Sequence, residues 1–140
     1  MQVKNRSTCP ISFALEIFGD RWTLLVLRDL LLRSRRRYRE LLKAEEGIAT
    51  NVLADRLKRL EGRGLIKKQR DPEDGRQFVY AATPLAVSLV PLLVEMTVWG
   101  ARNGTGTDVA HDLITRFETE RDALIAEIQA RVRRENGLVG

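Results

Sequence analysis

The side chains with the clearest chemistry fall in one stretch of this 140-residue chain, Gly47–Thr83. Asn51 carries a paired acceptor and donor that match an adenine edge, and Lys58 can reach guanine acceptors. Thr50 and Asp55 lie on the same outward side of a predicted helix, with Arg59 toward its flank. Lys67, Lys68 and Arg70 form a basic run suited to phosphate contacts that position without specifying. Arg76 follows Gly75 in a tight turn and is the type of residue that enters narrow A·T-rich minor grooves. Upstream, Arg35, Arg36 and Arg37 present guanidinium forks that match phosphate oxygens. These residue types point to recognition of duplex DNA rather than to bond-making. No Ser/His/Asp set, phosphate-binding Gly loop or H-E-x-x-H motif is present, so no catalytic residue and no cofactor is expected. His111, the single histidine, has only Asp112 beside it, so no metal site is expected either.

The elements that must hold these residues follow from spacing. Leu53, Leu57 and Leu60 recur at i, i+4 and i+7 and give the helix a core stripe, which leaves Asn51, Asp55, Lys58 and Arg59 facing outward. Gly62 and Gly64 end it. Thr50 can cap this helix or touch a phosphate or base. Arg56, beside the apolar stripe, is open to an internal ion pair, a phosphate contact or base readout. Leu65–Arg70 and Gln77–Thr83 form a hairpin around Asp71-Pro-Glu-Asp-Gly-Arg76, in which Asp71 and Asp74 brace the turn amides. A short helix with Leu41, Leu42 and Tyr38 inward precedes the turn at Gly47, and a pair of short helices about a Gly-containing turn is a helix-turn-helix signature.

Around this unit the pattern is helical. Pro10 suits the first turn of a helix carrying Phe13, Ala14, Ile17 and Phe18; Gly19 ends it, and Asp20 caps a second helix, Arg21–Leu32, apolar on most sides and therefore central. Thr83-Pro84 opens a further helix with Leu85, Leu89, Leu92, Leu93, Met96 and Trp99 on its apolar face, bent by Pro91. Gly100–Gly106 reads as a break. A last helix from Asp108 to about Arg134 carries Val109, Leu113, Phe117, Leu124, Ile128 and Val132 on one stripe, interrupted by Arg121. Its natural use is pairing in a second chain, with folding back on its own domain the alternative. The whole is one domain, 1–140, mainly α with a small β-hairpin (α+β). Residues 9–100 form a winged-helix core (36–64 helix-turn-helix, 65–83 wing), and 108–134 a dimerisation helix.

Charge placement agrees with a polyanion partner. Residues 1–80 hold 18 Lys and Arg against 11 Asp and Glu, whereas 81–140 hold 6 against 8, so the net +5 of the chain lies in the half with the helix and wing. No stretch approaches the ~20 apolar residues of a membrane span, residues 1–10 lack the apolar core of a signal peptide, and a lone cysteine fits a reducing compartment. The expected location is the cytoplasm.

Taken in order, Cys9-Pro10, Gly19-Asp-Arg-Trp22, Tyr38-Arg-Glu-Leu41, Gly47-Ile-Ala-Thr-Asn51, Arg56-Leu57, Gly64-Leu-Ile66, Thr83-Pro-Leu85 and Trp99-Gly100 resemble the HxlR-type branch of winged-helix regulators over roughly residues 9–100. The resemblance implies a homodimeric bacterial transcriptional regulator acting on a palindromic DNA site. Two departures stand out: Ala86, where the family usually has glycine, and the long final helix. In some relatives a cysteine at the place of Cys9 senses oxidants; here Cys9 is a candidate redox sensor, near a helix start with Lys4 and Arg6 close by, or else a small buried apolar residue. A small-molecule effector is a further expected partner, with Trp22, Trp99 and Phe117 as residues that could line its cavity. A competing reading keeps the fold and makes the helix a protein-binding surface without specific DNA binding.

Overall fold

A computed structural model describes residues 7–107 and 111–138. Lys4, Arg6, Asp108 and Val109 lie outside the described residues. The order is α1 (Pro10–Phe18), α2 (Thr23–Leu31), α3 (Tyr38–Leu41), α4 (Thr50–Gly62), β1 (Ile66–Arg70), β2 (Phe78–Ala82), α5 (Pro84–Val87), α6 (Val90–Asn103) and α7 (His111–Glu135). The strands pair antiparallel with Lys68 opposite Tyr80 and Arg70 opposite Phe78. The arginine run adds one bridge to the outer edge of β2, where Tyr80 N donates to Arg36 O at 2.8 Å.

α2 is the centre of the core: Val26, Leu27, Leu30 and Leu31 are all buried, together with Leu53, Leu57 and Leu60 of α4. Gly19 makes the corner into it, because a Cβ there would collide with Leu15 O. α2 starts at Thr23 with Trp22 in the cap position, not at Arg21; Asp20 instead holds the turn that leads into it, its Oδ1 accepting from Trp22 N (2.8 Å) and Thr23 N (3.0 Å). α4 ends in a Schellman motif: Leu65 N donates to Leu60 O, Gly64 N donates to Glu61 O, and Gly64 takes φ +75°, which only glycine adopts without strain.

Four expectations need correction. Thr50 does not cap α4; Ala49 holds the cap position and Thr50 is the first helical residue. Residues 84–103 form two helices rather than one bent one, with Pro91 in the first turn of α6, where its missing N–H costs nothing. The most apolar 18 residues of that 20-residue stretch have a mean hydropathy of 1.6, enough by length and composition to cross a membrane. It is nevertheless broken after Val87, and Val90, Leu93, Val94 and Val98 are packed into the domain. Finally, α7 folds back on its own domain. The chain leaves helical geometry at Glu120 (φ −141°, ψ 46°), next to the Arg121 that interrupts the apolar stripe. The second arm then buries Leu124, Ile125 and Val132.

Folding α7 inward leaves a different apolar face uncovered. Ile11, Phe13 and Leu15 of α1, Leu85 of α5, and Leu92, Met96 and Trp99 of α6 are exposed, Trp99 to 70%. Ala86, where glycine was the family expectation, is fully buried, and its N–H meets the Thr83 hydroxyl that caps α5.

Candidate nucleic-acid interface

α4 presents Thr50, Asn51, Asp55, Lys58 and Arg59 to solvent, as its apolar stripe requires. Its orientation is fixed from behind by Arg56, whose Nε donates to Asp20 Oδ1 at 3.0 Å and whose Nη1 meets Asp55 at 2.6 Å. Arg56 is thus an internal ion-pair residue. Partial burial alone would raise the Asp20 carboxyl. Hydrogen bonds from the Thr23 hydroxyl, Arg56 and the Trp22 and Thr23 amides outweigh it and hold the group well below the usual carboxylate range. Asp55 also faces Arg59 at 3.8 Å, so its acceptors are shared with its own helix before any base is met.

Between α3, α4 and the wing runs an open groove of about 730 Å³. Lys58 on one wall faces Lys68, Gln77 and Phe78 on the other, and Arg39 and Tyr38 close one end. Side chains alternate along a strand, so Lys68 and Arg70 share the groove face with Phe78 and Tyr80, while Lys67 and Gln69 point the other way. Phe78 is 40% exposed because it carries cations: Lys68 Nζ stands 4.5 Å and the Arg70 guanidinium 5.2 Å from its ring. The wing tip is braced as the aspartates suggested. Asp71 Oδ1 accepts from Glu73 N, Asp74 Oδ1 accepts from Arg76 N, and Arg70 Nη1 donates to Gly75 O at 2.6 Å. Arg76 itself is 92% exposed, with one long contact to Asp74.

The arginine cluster is used differently from the expectation. Arg35 lies 3.5 Å from Glu45 and 3.9 Å from buried Asp29, Arg36 Nη1 donates to Glu135 O at 2.7 Å, and Arg37 pairs with buried Asp71 at 2.6 Å. Buried carboxylates need cations beside them, and Asp29 and Asp71 draw these groups inward. Hydrogen bonding to Asp71 raises the Arg37 guanidinium. The Asp71 carboxyl is lowered by the Glu73 amide first, with Arg37 adding to it against the effect of burial. Arg37 still borders the groove. Arg35 and Arg36, turned toward Glu45, Asp29 and Glu135 O, do not line it. Conversely, Arg39, Gln77 and Phe78 belong to the groove and went unassigned from sequence. Arg39 lies within the Tyr-Arg-Glu-Leu motif, whereas nothing local to Phe78 marks it as a groove residue.

Cys9 is exposed at the cap position of α1, with its N–H on Ser7 Oγ at 3.2 Å, so the buried apolar alternative does not hold. His111 is exposed, and among the described residues no group of three or more His, Cys, Asp or Glu could hold a metal ion.

A short helix, a turn, an outward-facing second helix and a basic two-stranded wing that shares its groove define a winged helix-turn-helix protein. The comparisons narrow this class. The chain belongs to the HxlR-like helix-turn-helix family, whose model matches residues 17–108. An HTH-type transcriptional regulator of Halalkalibacterium halodurans is 30% identical over 102 residues, covering 73% of this chain and 90% of that one. The structure of PA1607, a candidate transcription factor, superimposes with a TM-score of 0.67 at 32% identity, covering 76% of this chain and 73% of that one. Reduced YodB of Bacillus subtilis, a transcriptional regulator, gives 0.56 at 26%, covering 73% of this chain and all of that one. The family is one of DNA-binding transcriptional regulators, not of enzymes.

Proposed function

We propose that two copies of this chain bind a palindromic operator in the cytoplasm and regulate the genes beside it. The reading rests on the groove in which the outward face of α4 meets the cationic face of the wing. α4 enters the major groove with Asn51 and Lys58 at base edges. Thr50 and Arg59 sit toward the backbone, and Asp55 orients Arg59. Lys68, Arg70 and Arg39 meet phosphates, and Arg76 reaches the minor groove. The uncovered face of α1, α5 and α6 supplies the contact between copies, since apolar surface on this scale marks an interaction site. α7, which covers its own domain, does not. Two recognition helices then read half-sites about one helical turn apart, ~10 base pairs.

The test is a titration of duplexes selected from random sequence, at several salt concentrations. Specific binding whose affinity falls steeply between low and moderate salt, through counterion release, is the expected result. Salt-insensitive or absent duplex binding would favour the protein-surface reading instead. A signal is also part of the proposal, either redox at the exposed Cys9 or a small molecule.

A further inference from the structure

The second arm of α7 does more than fill a gap in the core. Between it, the first arm and α6 lies a cavity of about 400 Å³, within the range of small-molecule sites, roughly 300–1,000 Å³. The expected aromatic lining is not used: Trp22, Trp99 and Phe117 are all absent from its wall. Its floor is Val94 of α6 with Leu113, Leu124 and Ile128 of α7, and the kink at Glu120 is what lets both arms contribute. Its rim is cationic. Arg116 pairs with Glu127 at 2.6 Å and lies 3.7 Å from Glu120, and Arg131 pairs with Glu135, which leaves Arg134 as the rim cation to be matched. Arg131 is fixed by Leu31 O (3.0 Å) and by Glu135. Arg134 forms no ion pair among the described residues. An apolar floor beside the unpaired Arg134 guanidinium, with Arg131 next to it, is half a binding site for a molecule with the opposite polarity at one end.

We infer that this cavity binds a small amphipathic organic anion, an aromatic carboxylate, with its ring on Val94, Leu124 and Ile128 and its carboxylate on Arg134 and Arg131. A neutral aromatic would gain the floor but leave the rim uncompensated, and an inorganic anion would gain the rim alone. The site lies mostly beyond the segment matched to the family, 17–108, on the helix that follows it. It gives the small-molecule signal of the proposed function a place and a chemistry, and rests on that function for its purpose but not for binding itself.

The experiment is calorimetric titration of the full chain, without DNA, with 1-naphthoate and with neutral 1-naphthamide. The expected result is one saturable site per chain for naphthoate and at least about tenfold weaker binding of the amide, the scale of one lost charge-assisted contact. Arg134→Ala, a change at an exposed position, should weaken naphthoate by a similar factor and leave the amide unaffected. Thr97→Leu, which adds volume to the cavity wall, should weaken both. Absence of saturable binding, equal affinity for the two probes, or wild-type behaviour of both variants would overturn the inference. Because no duplex is present, none of these outcomes bears on the DNA-binding reading.

Discussion

The Asp20 carboxylate accepts from Trp22 N, Thr23 N, Thr23 Oγ1 and Arg56 Nε, so one side chain holds the turn into α2 and fixes the roll of α4. Its folded-state pKa lies below the unfolded value of about 3.9. The resulting stabilisation is complete above about pH 5 and is lost as the pH falls below that unfolded value. Asp20→Asn keeps an acceptor for the turn amides but loses the charge that holds Arg56, so it should destabilise at pH 7 by about 1.5–3 kcal/mol, the range of a hydrogen bond to a charged group, and flatten the acid limb. Urea midpoints from pH 3 to pH 7 test this, and parallel curves for the two proteins would sink it. On the wing, Arg76 is exposed at the tip with only a long contact to Asp74, while Lys67 faces away from the groove. Arg76→Ala should weaken operator binding roughly tenfold and Lys67→Ala much less, on the scale of single side-chain contacts to DNA. Equal losses in a salt-controlled titration would remove Arg76 from the minor groove. Cys9 is accessible, so Cys9→Ser should abolish any loss of operator affinity caused by a quinone or peroxide; an unchanged response in the variant would place the signal elsewhere.

Between elements, the tie that joins α7 to the wing is a short chain of hydrogen bonds. Asn136, just past α7, accepts from Ala82 N of β2 at 2.9 Å, and Arg36 links Glu135 O to the bridge that edges the same strand. Asn136→Ala would leave a buried strand amide unpaired, at about 1–3 kcal/mol. Hydrogen exchange at Ala82 should rise well above that of the rest of β2. Uniform exchange along the strand would show that α7 does not brace the wing. How far these elements could be read in advance depended on the range of the forces that place them. The α4 stripe, the Gly64 stop and the Thr83 cap are set within one or two turns, and spacing revealed them. The partners of Arg35, Arg36 and Arg37 lie up to a hundred positions away in sequence, and no local pattern encodes that Asp29 and Asp71 are buried. On α6, Leu92, Met96 and Trp99 are apolar like Leu93, Val94 and Val98, so periodicity could not separate the face left exposed from the face packed into the core. The direction of α7 turned on one non-helical residue at Glu120, for which the neighbouring Arg121 was the only hint.

For the molecule as a whole, the apolar face of α1, α5 and α6, the groove and the α6–α7 cavity share one rigid frame, since α6 carries the exposed Trp99 on one side and the cavity floor at Val94 on the other. Trp99→Glu should convert the proposed dimer to a monomer in light scattering with little change in melting temperature, because the residue is 70% exposed on its own domain. Operator affinity should fall by orders of magnitude as the two half-sites uncouple. The cavity acts on the same frame from the other side. A carboxylate on Arg131 competes with the backbone carbonyls of Leu31 and Leu32 that hold α7 against the loop leading to Arg36 and the wing. Binding should therefore shift the wing relative to α4 and change operator affinity. Coupling between two ligands is reciprocal at equilibrium. If 1-naphthoate weakens operator binding by a given factor, saturating operator must weaken naphthoate binding by the same factor, both measured by titration at one salt concentration. A typical coupling of 1–3 kcal/mol corresponds to roughly 5- to 150-fold. Asn136→Ala should shrink that factor while leaving naphthoate affinity in the absence of DNA unchanged, because it cuts the tie to β2 and not the site. Coupling that survives undiminished in this variant would mean that the message travels through α6 and the dimer face instead.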